Sequence, residues 1–203
     1  MDALMPNATT PARRRLWPLW AVLIVSAAPL VAALLAWNVQ WPGGRSNYGA
    51  IIEPPRATPE LMLGGADSQP VALRETTQPR HWRMVVAAPA VCEDACRKHL
   101  YYMRQLRTAA GEDRDRIERI WIVTDGGQPD AKLLADYPGM TVLRASGDAE
   151  RAAIARWLDS DAPEQHLHLL DPHGDLMLVW PATPDPARMR RDLSRLLKVS
   201  RIG

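Results

Sequence analysis

The chain of 203 residues carries 25 Lys and Arg against 23 Asp and Glu, a net charge of +2, and 47% hydrophobic residues. That length holds one full domain plus an accessory segment rather than two sizeable cores, and the globular composition excludes disordered, collagen-like and polytopic membrane chains. The excess charge sits in Arg13, Arg14 and Arg15 against Asp2, so the remainder is formally neutral and argues against a nucleic-acid partner.

Residues 16–37 run for 22 positions without a charge, and about 20 apolar residues cross a ~30 Å hydrocarbon core. They are predicted as one transmembrane helix, preceded by a cytoplasmic N-terminus over 1–15. Trp17 and Trp20 stand at one end and Trp37 and Trp41 at the other, where amphipathic rings settle at headgroup level. Pro18 fits the first turn and Pro29 is placed to kink the middle. A cleaved signal peptide is the rival reading, because Ser26, Ala27 and Ala28 are small, but the apolar run continues past them. The three arginines keep the N-terminus inside by the positive-inside rule. The expected location is therefore the inner (cytoplasmic) membrane, single-pass, with the soluble domain in the periplasm.

Residues 38–80 are rich in Pro and Gly and read as a linker with a short hairpin near 70–77. From residue 81 strands and helices alternate. Residues 81–88 form a strand and 92–110 a helix with the stripe Cys96, Leu100, Met103 and Ala110. Residues 117–124 (IERIWIVT) have the β-branched and aromatic composition of a strand buried on both faces. A short helix over 130–136 and a strand over 140–144 follow. Asp148 is placed to cap a helix that buries Ile154, Trp157 and Leu158. Strands at 166–170 and 176–180 are joined by Asp171-Pro172-His173-Gly174, with Pro and Gly at the second and fourth turn positions. Asp185 as cap and Pro186 as first helical residue open the last helix, whose stripe is Met189, Leu193, Leu196 and Leu197. The predicted class is α/β: a thioredoxin-like mixed sheet flanked by helices over 81–203, preceded by the transmembrane helix.

Cys92 and Cys96 are the only cysteines. Four residues apart at a strand-to-helix junction, they share one helical face, and an oxidising compartment permits a disulfide. The first helical turn stabilises a thiolate, whereas Glu93 and Asp94 oppose one. Cys96 continues the core stripe and Cys92 starts at the loop edge, so Cys92 is expected to be the exposed partner. An inert staple is the alternative, and over so short a loop it contributes little stability. Reduced, two soft thiolates select Cu(I). Among the histidines, His99 is expected at the surface, as are His81 and His173. His166 and His168 alternate with Leu167 and Leu169 along a strand, and Met84 is assigned to the core.

Residues 82–96 (WRMVVAAPAVCEDAC), the Asp171-Pro172-His173-Gly174 turn and the closing helix at 192–198 (DLSRLLK) resemble the Sco/SenC family. The resemblance implies a tethered thioredoxin-like domain that assists cytochrome c oxidase assembly. It implies Cys92 and Cys96 as redox-active thiols and copper ligands, with a respiratory oxidase subunit or a copper chaperone as partner. Glu93 and Arg97 stand where the family carries prolines. Counting back from Pro172, the position of the family's copper-ligand histidine falls on Pro163. The expected function is thus thiol-disulfide exchange, Cu(I) handling, or both; the alternative is a degenerate scaffold that only binds assembly partners.

Overall fold

The computed structural model describes residues 17–38, 47–65, 67, 69–74 and 81–200. Two compact units divide between Ser46 and Asn47. The first contains α1 (Trp17–Asn38), a 22-residue helix with Pro29 inside it. Trp17–Leu35 is long and apolar enough to cross a membrane. Trp17 and Trp20 are exposed, as expected of a helix whose solvent is lipid. Arg13, Arg14, Arg15 and Trp41 lie outside the described residues.

The second unit is built on one sheet of eight strands. In chain order they are β1 (Ala50–Ala57), β2 (Met62–Gly64), β3 (Pro70–Ala72), β4 (Trp82–Ala88), β5 (Ile117–Val123), β6 (Thr141–Arg144), β7 (Leu167–Leu170) and β8 (Asp175–Trp180). The spatial order is β1-β8-β7-β4-β5-β6-β2-β3. β4, β5 and β6 are parallel to their neighbours in that set, and β7 runs antiparallel to both β4 and β8. The sheet is therefore mixed.

β1 to β3 correct the reading of 38–80 as a linker. Proline cannot donate to a ladder and is confined to edge strands or bulges. β1 meets both conditions: it is an outermost strand, and its pairing with β8 shifts between Ile51 and Arg56, the stretch that holds Pro54 and Pro55. The hairpin expected near 70–77 is instead β2 against β3, pairing Met62 with Ala72 and Gly64 with Pro70; residues 75–77 lie outside the described ones.

Helices cover both faces. Side chains alternate along a strand, so Met84 and Val86 pack in one core with α2 (Asp94–Ala109) and α5 (Pro186–Val199), while Val85 and Ala87 pack in the other with α4 (Asp148–Leu158). β4 is buried at every position, as befits a central strand with helices on both sides. The short α3 (Ala131–Ala135) is capped by the Asp130 side chain, which accepts from the Lys132 N–H. α4 starts one residue earlier than expected. Gly147 takes the cap position, and the Glu150 carboxylate accepts from the backbone N–H of Ser146 and Gly147. The turn at 171–174 is as predicted. Gly174 donates to the Asp171 carbonyl at 3.0 Å, and its φ of +92° suits a residue without Cβ.

Asp192 joins the start of the unit to its last helix. This 2% exposed carboxylate accepts from the backbone N–H of Tyr48 (2.9 Å) and Gly49 (2.8 Å) and from the Trp180 indole (3.2 Å). Removing it strands three donors, two of them buried, each an unmade hydrogen bond to a charged acceptor. Asp192→Ala is expected to destabilise the domain by about 3 kcal/mol, read from urea midpoints of the full chain in detergent, and Asp192→Asn by less, since one acceptor oxygen remains. A cost below about 1 kcal/mol for the alanine variant would show that water replaces the carboxylate there.

Candidate functional site

The β4 strand ends at Ala88, and the chain turns through 89–93 before α2 begins at Asp94. Three contacts fix this loop. The Trp121 indole donates to the Ala88 carbonyl at 3.2 Å, the Ala90 N–H donates to the Asp125 carboxylate at 3.1 Å, and the Cys92 N–H donates to the Ala90 carbonyl at 3.0 Å. Arg97, one turn into the helix, returns its Nε–H to the Cys92 carbonyl at 2.8 Å. Asp125 itself is held by Gly127, whose N–H donates to the same oxygen at 3.0 Å. The loop is thus tied to the ends of two parallel strands, the edge of an α/β sheet where sites collect.

The loop presents a disulfide between Cys92 and Cys96, with Cα atoms 5.2 Å apart. Cys92 lies before the cap residue Glu93, and Cys96 is the third helical residue. Both cysteines border an open cleft of about 760 Å³, shared with Val91, Glu93, Glu164 and Gln165. Val91 is 74% exposed, an apolar side chain at the rim.

The expected asymmetry of access is absent: Cys92 and Cys96 are each 3% exposed. The helix begins two residues after Cys92, so that residue folds back over the helix start instead of standing at its edge. Glu164 and Gln165 come from a 3-10 turn (Pro163–Gln165) just before β7. Pro163 therefore belongs to the turn opposite the disulfide, and the turn offers the cleft a carboxylate and an amide rather than an imidazole.

The histidines depart further from expectation. His99, placed at the surface by sequence, is 1% exposed on the inner face of α2, and His168 is fully buried on β7. His99 follows Cys96 by three residues, which turns it toward the same core as the helix stripe. No hydrogen bond of good geometry reaches a ring nitrogen of either residue among the described residues. Burial pushes His99 down to about 4; the Glu164 backbone carbonyl opposes this, and His166 and Lys98 add to it. Burial likewise pushes His168 down to about 3, with His166 and His99 adding to the effect and the Val85 carbonyl opposing. Both are neutral imidazoles at pH 7. His166 is half-buried and shares a second, smaller cleft with His168; its Nδ1 lies 3.1 Å from the Trp180 carbonyl and donates to it. His81 lies 3.1 Å from Glu118, half-buried, and His173 is exposed in its turn. Met84 is in the core.

Sequence reasoning did not single out Asp125, Arg97 or Glu164 as parts of the site. Asp125-Gly126-Gly127 is a turn signal directly after a buried strand, and its position beside the cysteine loop was the one available clue. Nothing local marks Glu164, which reaches the cleft only through the pairing of β7 with β4.

A disulfide at the strand-to-helix turn of such a sheet defines a thioredoxin-like domain, here in a chain that also carries a candidate membrane-spanning helix. Residues 82–200 match the family described as transmembrane-like, thioredoxin-like, C-terminal domain, and the chain belongs to that family. No curated protein matches the chain. The structural neighbours include many Sco1/SenC proteins. Yeast Sco1 with copper bound is 14% identical with a TM-score of 0.55, covering 71% of this chain and 96% of its own. Apo Sco1 from Thermus thermophilus is 16% identical with a TM-score of 0.56, covering 77% and 98%. BsSco, described as a member of the Sco family of cytochrome c oxidase assembly proteins with a disulfide switch, is 12% identical with a TM-score of 0.55, covering 72% and 96%. The thioredoxin-like fold implied by the Sco/SenC resemblance is the fold observed.

Proposed function

We propose that the chain is an anchored thiol-disulfide exchange protein acting in respiratory oxidase assembly. The observation that carries this reading is the Cys92–Cys96 disulfide bordering an open cleft at the sheet edge. In its reduced form the pair delivers two electrons and two protons to a target disulfide. One thiolate attacks a target sulfur to form a mixed disulfide, the other cysteine displaces the target thiol, and the intramolecular disulfide of this structure is the product. The target is thereby left with two thiols able to receive copper.

Copper enters this scheme as cargo. The oxidised pair has no free thiolate, so loading requires reduction. No group of three His, Cys, Asp or Glu side chains fit to hold a metal occurs among the described residues. Two thiolates suit Cu(I), which accepts soft ligands in low number, and do not suit Cu(II). The Sco neighbours, one with copper bound and one an assembly protein with a disulfide switch, support both halves of the scheme. The apolar helix would hold the domain at the inner membrane, and the positive-inside rule would place it on the periplasmic side with its partner, an oxidase subunit or a copper chaperone.

The test is to equilibrate the folded full chain in graded thiol-disulfide buffers and count alkylated cysteines by mass. A reversible transition of both cysteines together is expected. A pair that reduces only when the domain is unfolded would be a structural staple, and the exchange reading would fail.

A further inference from the structure

We propose that the outward face of α5 docks on anionic phospholipid headgroups of the bilayer that α1 enters. The inference rests on α1 being a membrane span. Arg188, Arg191, Arg195 and Lys198 recur at spacings of three, four and three, which lines them up on one stripe, and Arg190 flanks it. All five are exposed, while Met189, Leu193 and Leu197 on the opposite side are buried in the core. The single acid of the helix, Asp192, is turned inward onto Tyr48, Gly49 and Trp180. The exposed face of α5 is therefore cationic along its length, a segregation that the near-neutral total charge conceals.

The same helix is pinned to the point where the chain enters the domain. The Arg188 guanidinium stacks 4.2 Å from the Tyr48 ring centroid, and the Asp185 N–H donates to the Tyr48 hydroxyl at 3.0 Å. Eight residues, 39–46, connect α1 to that point, and covalent geometry limits such a connection to about 30 Å. α5, with 14 residues, is itself about 21 Å long. A connection of that length lets these cations come to the headgroups without a second tether, and attraction to an anionic surface acts over a Debye length of about 8 Å. An acidic protein segment would match the charge equally well, but it would have to be recruited; the lipid is supplied by the anchor. Val199, exposed beside Lys198, adds an apolar contact at headgroup depth.

The experiment uses the full chain in nanodiscs of phosphatidylcholine alone or with one third phosphatidylglycerol. Phenylglyoxal modification of each arginine is followed by peptide mass spectrometry. Arg190, Arg191 and Arg195 are expected to react about tenfold more slowly in the anionic discs, and about 0.5 M salt should erase the difference. Arg114, exposed on another element, should react alike in both. Equal rates for the α5 arginines in the two discs would overturn the proposal and leave an acidic protein as the occupant of this face. Failure of the chain to enter discs at all would be a different result: it would remove the membrane span, and the docking with it, while leaving the thiol chemistry of the cleft untouched.

Discussion

Cys92→Ser and Cys96→Ser are each expected to abolish reversible reduction and to weaken Cu(I) binding by more than about a hundredfold, measured by competition with a chromophoric Cu(I) chelator. Each variant leaves one thiolate, and no group of metal-holding side chains among the described residues makes up the loss. Unfolding does not account for the expected result, because closing so short a loop contributes only about 2 kcal/mol in the chain-entropy account. His166→Ala supplies the contrast. Its imidazole is turned to the Trp180 carbonyl and borders a different cleft, so Cu(I) affinity should not change. Loss of tight binding in that variant would place His166 among the ligands and favour copper carriage over thiol exchange. Cysteine variants that still support full oxidase assembly in cells would leave only the scaffold role.

How far such effects could be foreseen from sequence depended on whether the relevant information was local. The order and type of the elements from residue 81 onward were legible because most have their own signal: Asp185-Pro186 at the start of α5, Asp171-Pro172-His173-Gly174 between β7 and β8, and the alternation of periodicities between them. β1 was not, since Pro54 and Pro55 read as a linker until β8 supplies the neighbour that makes it an edge strand. The cysteines were legible as a chemical pair, but their equal burial was not. It depends on where α2 begins, and a shift of two residues changes which side chain faces out. His99 shows the same limit. Three residues from Cys96 it shares the inward face of the helix, yet its burial is completed by the turn before β7, some sixty positions away. Long-range pairing of that kind leaves no mark on a local pattern.

The buried imidazoles predict a steep acid sensitivity. His99 and His168 hold their pKa at about 4 and about 3 in the fold because burial penalises the cation, whereas in the unfolded chain both return to about 6.5. Below that value the unfolded state takes up protons that the folded state does not, so stability falls as pH falls. It stops falling only when His99 and then His168 titrate in the fold. Each imidazole contributes about 1.4 kcal/mol per pH unit inside this window, and the two together about 3 kcal/mol per unit between roughly pH 6 and 4. Urea midpoints of the full chain in detergent at pH 7, 6 and 5 measure the slope before most carboxylates titrate. His168→Gln, which has no proton to gain, should lower stability at pH 7 but roughly halve the slope below pH 6. A wild-type profile that stays flat from pH 7 to 5 would mean that both rings accept protons without leaving the core, contrary to their burial. The site feels the same change. Protonating His99 places a charge beneath the first turns of α2, where burial penalises it and the Glu164 carbonyl offsets only part of the cost, so the acid penalty falls on the helix that carries Cys96.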